Sequence, residues 1–267
     1  MPNATDKNNI VFFTDLDGTL IHSRRHGYDG GVKWVEYIGG KPRSFISEGA
    51  FETLKELNIE IIPVTSRSIE QFNRLKDFLK ELKVRIALIN NGSLLVNLSG
   101  VNDESEKRFN LDTMKVCMPY AEDMEKAFHS TSLISGVRSI RAALPCFISG
   151  AHDDPERAED ELRGAFAESR LRIYSDNHRV YISPEIITKG LQVKRFCEFF
   201  GIEKKIAAGD SENDVSMLEQ ADLCLCPKEL SEHFSPRTKR LICSGFFTDD
   251  IADNLRRIFE DGGSGYV

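Results

Sequence analysis

Short runs of consecutive apolar residues punctuate this chain. Ile10-Val11-Phe12-Phe13 leads into Thr14-Asp15, and an unbroken apolar run of this length marks a strand covered on both faces, since a half-exposed strand would alternate. Five similar runs follow: Ile59 to Val64, Ile86 to Ile89, Ile206 to Ala208, Leu223 to Cys226 and Leu241 to Cys243. Between the second and third, Phe72, Leu75, Phe78, Leu79 and Leu82 fall on one helical face. Strand and helix in alternation predict a parallel sheet, and hence an α/β fold with a Rossmann-like core and helices on both faces. Pro63 stands out in the second run, because proline donates no ladder hydrogen bond and belongs at strand edges, ends or bulges.

From Leu94 to Ser183 the texture changes. Val137 to Ala143, Cys146 to Ile148, Leu171 to Tyr174 and Arg179 to Ile182 have the look of short strands, with helical stretches near Asp112 to His129 and Pro155 to Ser169. Alternation there suits an antiparallel sheet with helices on one face. The parallel-sheet pattern resumes after Thr188, so this segment is expected to be an inserted α+β cap at 94–183, with the core formed by 1–93 and 184–267. Residues Gly27 to Pro42 place five glycines around the single Trp34, the composition of a flap or hairpin. Gly262-Gly263-Ser264-Gly265 is expected to be a loose tail.

At 267 residues, 40% hydrophobic and 29% charged, the chain can bury a full-sized core, and two domains suit its length. A formal net charge of -7 supplies no broad cationic field, which argues against wrapping nucleic acid or lying on an anionic membrane. An anionic substrate would need a local positive site. No run approaches the ~20 apolar residues of a membrane span, so a cytoplasmic location is expected. The six cysteines are scattered without metal-ligand spacing and are read as buried thiols.

The chemistry-bearing residues gather at the ends of these runs. Asp15-Leu16-Asp17-Gly18-Thr19 follows the first strand, where open parallel sheets place their ligand sites. A turn would explain one aspartate and the glycine, but not the second aspartate. Gly209-Asp210-Ser211-Glu212-Asn213-Asp214 follows another short strand, and a helix cap needs one acceptor rather than several acids. Asp15 and Asp210, with the Asp17 carbonyl, offer the few hard oxygen ligands that Mg2+ prefers. Val64-Thr65-Ser66-Arg67 lies at a further strand end, and Thr188-Lys189-Gly190 at a helix start.

These four clusters, in this order, resemble the motifs of the haloacid dehalogenase-like phosphatase superfamily, across the whole chain. Asp15 and Asp17 match its paired acids, Thr65 or Ser66 its hydroxyl motif, Lys189 its basic motif, and Asp210 with Asp214 its terminal acids. The insert is similar to the large α/β cap of the Cof-type and sucrose-phosphatase-like subclass. Where Cof-type members carry Thr-Gly-Arg, this chain has Thr65-Ser66-Arg67, which leaves open which hydroxyl meets phosphate. The resemblance implies Mg2+-dependent hydrolysis of a small phosphorylated metabolite, with a lean toward sugar phosphates. Asp15 would be the nucleophile that becomes an aspartyl-phosphate, Asp17 the general acid and base, and Lys189 with Thr65 or Ser66 the stabilisers of transferring charge. Metal ligands are expected among Asp15, Asp17, Asp210 and Asp214, with Asp214 or Asn213 completing the metal shell or orienting Lys189. Arg67, Asn90, Asn91, Gly92 and Asn213 are the expected substrate contacts. A phosphomutase or phosphotransferase would use the same chemistry, and a silent sensor of a phosphorylated metabolite would keep the pocket without turnover.

Overall fold

The computed structural model describes residues 10–100, 103–235 and 238–260. The expected tail at Gly262 to Gly265 lies outside them. The chain divides into two compact units, one taking in residues up to 102 and from Lys189 onward, the other Asp103–Thr188.

In chain order, the first unit opens with β1 (Val11–Thr14), β2 (His22–Ser23), the hairpin of β3 (Val32–Ile38) and β4 (Lys41–Ser47), and α1 (Glu48–Glu56). It continues with β5 (Glu60–Pro63), α2 (Ile69–Asn73), α3 (Lys76–Glu81), β6 (Ile86–Ile89) and β7 (Leu94–Asn97). The second unit holds α4 (Glu104–Cys117), α5 (Ala121–Leu133), β8 (Val137–Ala143), β9 (Phe147–His152), α6 (Pro155–Ala165), β10 (Leu171–Asp176) and β11 (Arg179–Pro184). The chain then returns to the first unit through α7 (Lys189–Phe200), β12 (Lys205–Ala208), α8 (Glu212–Leu218), β13 (Leu223–Pro227), β14 (Arg240–Cys243) and α9 (Phe247–Glu260).

Five of the six apolar runs form the core sheet, in the order β14-β13-β12-β1-β5, with every pair parallel. Beyond β5, a parallel bridge joins Val64 to Leu88 of β6. Pro63 is the last residue of β5, a strand end where its missing donor costs little. Both sheet faces are covered because the runs are apolar without alternation. On one face Phe12, Ile206 and Leu225 pack with Phe51, Phe72, Leu79, Ile251 and Leu255 from α1, α2, α3 and α9. On the other, Phe13 meets Phe196 of α7 edge to face, with ring centroids 5.9 Å apart. Each such fully buried side chain contributes about 1.5–3 kcal/mol, which is why the sheet can bring charged groups to its rim without losing its register.

The second unit is a four-stranded antiparallel sheet, β10-β11-β9-β8, whose Ile148, Ile173, Val180 and Ile182 pack on Met124, Ala127, Ala158 and Leu162 of α5 and α6. The helix expected near Asp112 to His129 is two helices, broken at Met118-Pro119-Tyr120, because Pro119 has no N–H to continue the ladder. The unit boundaries fall a few residues later than expected. Leu94–Asn97 pairs with β6 rather than with the insert, while Ile187 packs with Cys117 and Cys146 of the second unit. The glycine-rich flap is an antiparallel hairpin that runs beyond Pro42 to Ser47. No helix among the described residues is long and apolar enough to cross a membrane.

Candidate active site

Register brings the three strand-end clusters together. Thr14 lies opposite Ala208 of β12 on one side and Pro63 of β5 on the other, so the residues that follow all emerge on one rim. The Asp15 N–H donates to the Ala208 carbonyl at 3.0 Å, which anchors the first motif to the strand leading into Asp210. The Gly18 backbone has φ +92°, and a Cβ there would collide with the Asp210 carboxylate. Glycine therefore permits both the turn and the close approach. Asp15, Asp210 and Asp214 each bring a carboxylate oxygen within 4.8 Å of the others.

Lys189, the first residue of α7, reaches this cluster because α7 packs tightly on α8; a Cβ at Gly190 would run into the Ser216 carbonyl. The buried Lys189 Nζ donates to Asp15 Oδ1 and to Asp214 Oδ1, each at 2.6 Å. Burial opposes its charge, but Asp15 and Asp214 outweigh burial and raise its pKa above the ordinary lysine value. For Asp15, burial raises the pKa, Lys189 opposes this, and Asp214, Asp210 and Asp17 add to it, leaving the carboxyl well above its ordinary range. The second oxygen of Asp214 accepts from the Asp210 and Ser211 N–H groups and from the Ser211 hydroxyl. With both oxygens engaged, Asp214 is better placed to orient Lys189 than to offer a lone pair to a metal.

Asp210 is steered from the opposite side. The Thr19 hydroxyl donates to Asp210 Oδ1 at 2.7 Å, and the Thr248 hydroxyl of α9 donates to the Thr19 carbonyl at 2.7 Å. Thr248 Oγ1 also lies 2.5 Å from His22 Nε2. A hydroxyl has one proton to donate, so His22 donates and carries its proton on Nε2. Burial, then neighbouring His26, lower the His22 pKa to about 4, against a small opposing pull from Asp249.

Asp17 is drawn away from the carboxylate cluster. Arg67 grips it with two parallel hydrogen bonds, Nε to Oδ2 at 2.6 Å and Nη2 to Oδ1 at 2.7 Å. Burial pushes the Asp17 carboxyl up, but the charge and hydrogen bonds of Arg67, helped by Lys189 and Arg43, outweigh it and hold the pKa below the ordinary value. The other edge of the guanidinium faces Glu36 of β3, with Nη1 to Oε1 at 3.1 Å and Nη2 to Oε2 at 2.9 Å, and Nη1 also reaches the Gln71 carbonyl. All five Arg67 N–H groups are thereby used. Arg67, expected to bind substrate, spends its donors on the protein. The Asp17 backbone carbonyl accepts no hydrogen bond among the described residues, so it is that oxygen, and not the carboxylate, that stays available to a cation.

Thr65 is buried, its hydroxyl oxygen accepting from the Arg67 N–H at 3.2 Å, whereas the partly exposed Ser66 hydroxyl has no partner among the described residues. The Asn90-Asn91-Gly92 loop braces this turn: the Asn90 N–H donates to the Arg67 carbonyl and the Asn91 N–H to the Thr65 carbonyl. The Asn213 amide donates to Asn91 Oδ1 at 3.2 Å. Thr65, Asn91 and Asn213 thus lie in one braced wall beside the acids.

Residues 134–232 match the family model of haloacid dehalogenase-like hydrolases. A phosphoglycolate phosphatase of Methanobrevibacter smithii is 24% identical over 101 residues, which span 37% of this chain and 43% of that relative. Among solved structures, a sucrose-phosphatase from Synechocystis in complex with sucrose and phosphate superposes with a TM-score of 0.59 and 16% identity, over 94% of this chain and 97% of that one. A Thermoplasma acidophilum protein superposes with a TM-score of 0.62 and 17% identity, over 94% and 98% of the two chains. What these two structures share with this chain is the fold.

Two participants escaped the reading of the motifs. Thr19 sits inside the first motif, where its neighbours drew the attention. Glu36 lies on a hairpin strand with no motif around it, and the one available signal was an acid directly after the inward-facing Val35. For a divalent cation the donor set fits: all oxygen, with the Asp15 and Asp210 carboxylates close together and Asp214 beside them turned to Lys189.

Proposed function

We propose that this chain is a Mg2+-dependent phosphatase acting on a small phosphorylated metabolite, a sugar phosphate by preference, through an aspartyl-phosphate on Asp15. The observation that carries this reading is the convergence of Asp15, Asp210 and Lys189 at neighbouring strand and helix ends, with an oxygen donor set that fits a divalent cation. The relatives, a phosphoglycolate phosphatase in one case and a sucrose-phosphatase in another, support it. Asp15, Asp210 and the Asp17 carbonyl would hold Mg2+, which when bound supplies positive charge that offsets repulsion between the carboxylate and the phosphoryl oxygens.

In the first half-reaction an Asp15 oxygen forms a bond to phosphorus as the bond to the leaving oxygen breaks, and Asp17 gives that oxygen its proton. In the second, water attacks phosphorus and passes a proton to Asp17, releasing phosphate and restoring the Asp15 carboxylate. The pair with Arg67 favours ionised Asp17, which suits the second half. For the first half the phosphate dianion brought beside Asp17 opposes Arg67 and favours the proton. Lys189 keeps Asp15 aimed and neutralised. Thr65, whose oxygen is fixed by the Arg67 N–H, retains its own proton to donate to a phosphoryl oxygen, and is the better placed of the two hydroxyls. All six cysteines are free and buried, in keeping with a reducing compartment such as the cytoplasm.

The test is release of inorganic phosphate from a panel of phosphorylated sugars, short acids and nucleotides with Mg2+, together with Asp15→Asn. Wild-type protein should release phosphate without a bisphosphate activator, and acid-quenched protein should carry one phosphoryl group on the peptide containing Asp15. Asp15→Asn should remain folded with turnover lost. Full activity in that variant, or no release from any member of the panel, would overturn the reading.

A further inference from the structure

The flap hairpin reaches the chemistry through one side chain. Glu36 is 3% exposed on β3, yet removing a carboxylate from water costs several kcal/mol unless its oxygens are paired. Here they are. Oε1 accepts from Arg67 Nη1, Oε2 accepts from Arg67 Nη2 and from the Ser44 hydroxyl at 2.9 Å, and Arg74 Nη1 lies 3.3 Å from Oε1. Glu36 and Asp17 occupy two edges of one planar guanidinium. Because the guanidinium is rigid, fixing one edge sets the plane and the direction of the other.

We infer that Glu36 is a positioning residue for Asp17, acting through Arg67, so that the flap helps aim the acid–base carboxylate. A strand that only covered the core would be better served at this position by an apolar side chain. The arrangement also accounts for Arg67 having no donor to spare: it is held on both edges as a spacer between flap and acid. An amide at position 36 would turn an NH2 group toward one of the guanidinium N–H groups, tilt the plane and release Asp17. This inference rests on the phosphatase reading, in which Asp17 protonates the leaving oxygen.

The experiment compares Glu36→Gln with wild type on two probes, p-nitrophenyl phosphate and the most rapidly hydrolysed alkyl phosphate of the panel, both with Mg2+. General acid catalysis contributes roughly 10²–10⁴-fold where the leaving group is poor, and a nitrophenolate needs little of it. The variant should therefore lose about tenfold or more in kcat on the alkyl ester, with KM little changed, and distinctly less on the nitrophenyl ester. In an Arg67→Met background the same substitution should add nothing. In the crystal structure of Glu36→Gln, the Asp17 carboxylate should have left the Arg67 fork. Equal losses on both esters, an unchanged kcat, or Asp17 still in the fork would overturn the assignment. If wild-type protein releases no phosphate from any ester, the phosphatase reading falls, and the position of Asp17 in the variant structure decides the positioning role on its own.

Discussion

Replacing Lys189 with methionine keeps the length of the side chain and removes its charge. In the wild-type protein the buried Nζ lies 2.6 Å from both Asp15 Oδ1 and Asp214 Oδ1. At an effective dielectric constant near 20, each contact is worth on the order of 6 kcal/mol of gross attraction, most of which is cancelled by the cost of desolvating the ammonium and the carboxylates. The variant still buries both carboxylates and loses the cation between them. Breaking a buried pair in this way typically costs about 3–5 kcal/mol, and Asp214 recovers little, since its remaining bonds to Asp210 and Ser211 exist already. For a chain of this size that corresponds to a fall of roughly 6–20 °C in the melting temperature of the unit carrying the site, at about 2–4 °C per kcal/mol. Thermal unfolding at neutral pH without added metal measures it. Asp214→Asn in the Lys189→Met background should restore part of the loss, because it removes one stranded charge. Turnover of p-nitrophenyl phosphate should fall about 10²–10³-fold, the usual consequence of deleting one donor aimed at developing charge. A melting temperature within a degree or two of wild type, or no recovery in the double variant, would show that Lys189 does not neutralise these carboxylates.

Gly18→Ala should displace Asp210, since a Cβ there collides with its carboxylate and φ is +92°; the Mg2+ concentration for half-maximal activity should rise about tenfold or more, and an unchanged metal requirement would refute the steric argument. His22 has its pKa lowered to about 4 by burial and by His26, so its stabilising contribution is present above the unfolded value near 6.5 and is lost as pH falls toward 4, in total about 3 kcal/mol. The difference in melting temperature between wild type and His22→Gln should accordingly shrink between pH 7.5 and pH 4, and parallel pH profiles would count against a buried neutral imidazole.

Much of the fold could be read from local pattern. Short apolar runs announced a sheet covered on both sides, and five of the six lie in it, with Pro63 where its chemistry allows, at a strand end. The α4–α5 break was missed although Pro119 was visible, because helical periodicity on either side is nearly continuous and a proline within it marks either a kink or a stop. The start of the insert was misjudged because β7 pairs with β6, and pairing depends on a partner strand rather than on composition. Asp15, Asp210, Lys189 and Asp214 stand out as candidates in the sequence because each lies close behind a strand or at a helix start, positions that order along the chain already specifies.

The sequence by itself determined the apolar runs, the chemistry at their ends and therefore which groups share a rim, because strand direction and period are local properties of the backbone. Only the tertiary structure decided how those groups divide their hydrogen bonds. Arg67 gives its five donors to Asp17, Glu36 and Gln71, and Asp214 divides its two oxygens between Lys189 and the turn at Ser211. The charged contacts among these lie between residues 25 to 50 positions apart, fixed by packing, and no pattern along the chain encodes which of several possible partners a charged side chain will meet.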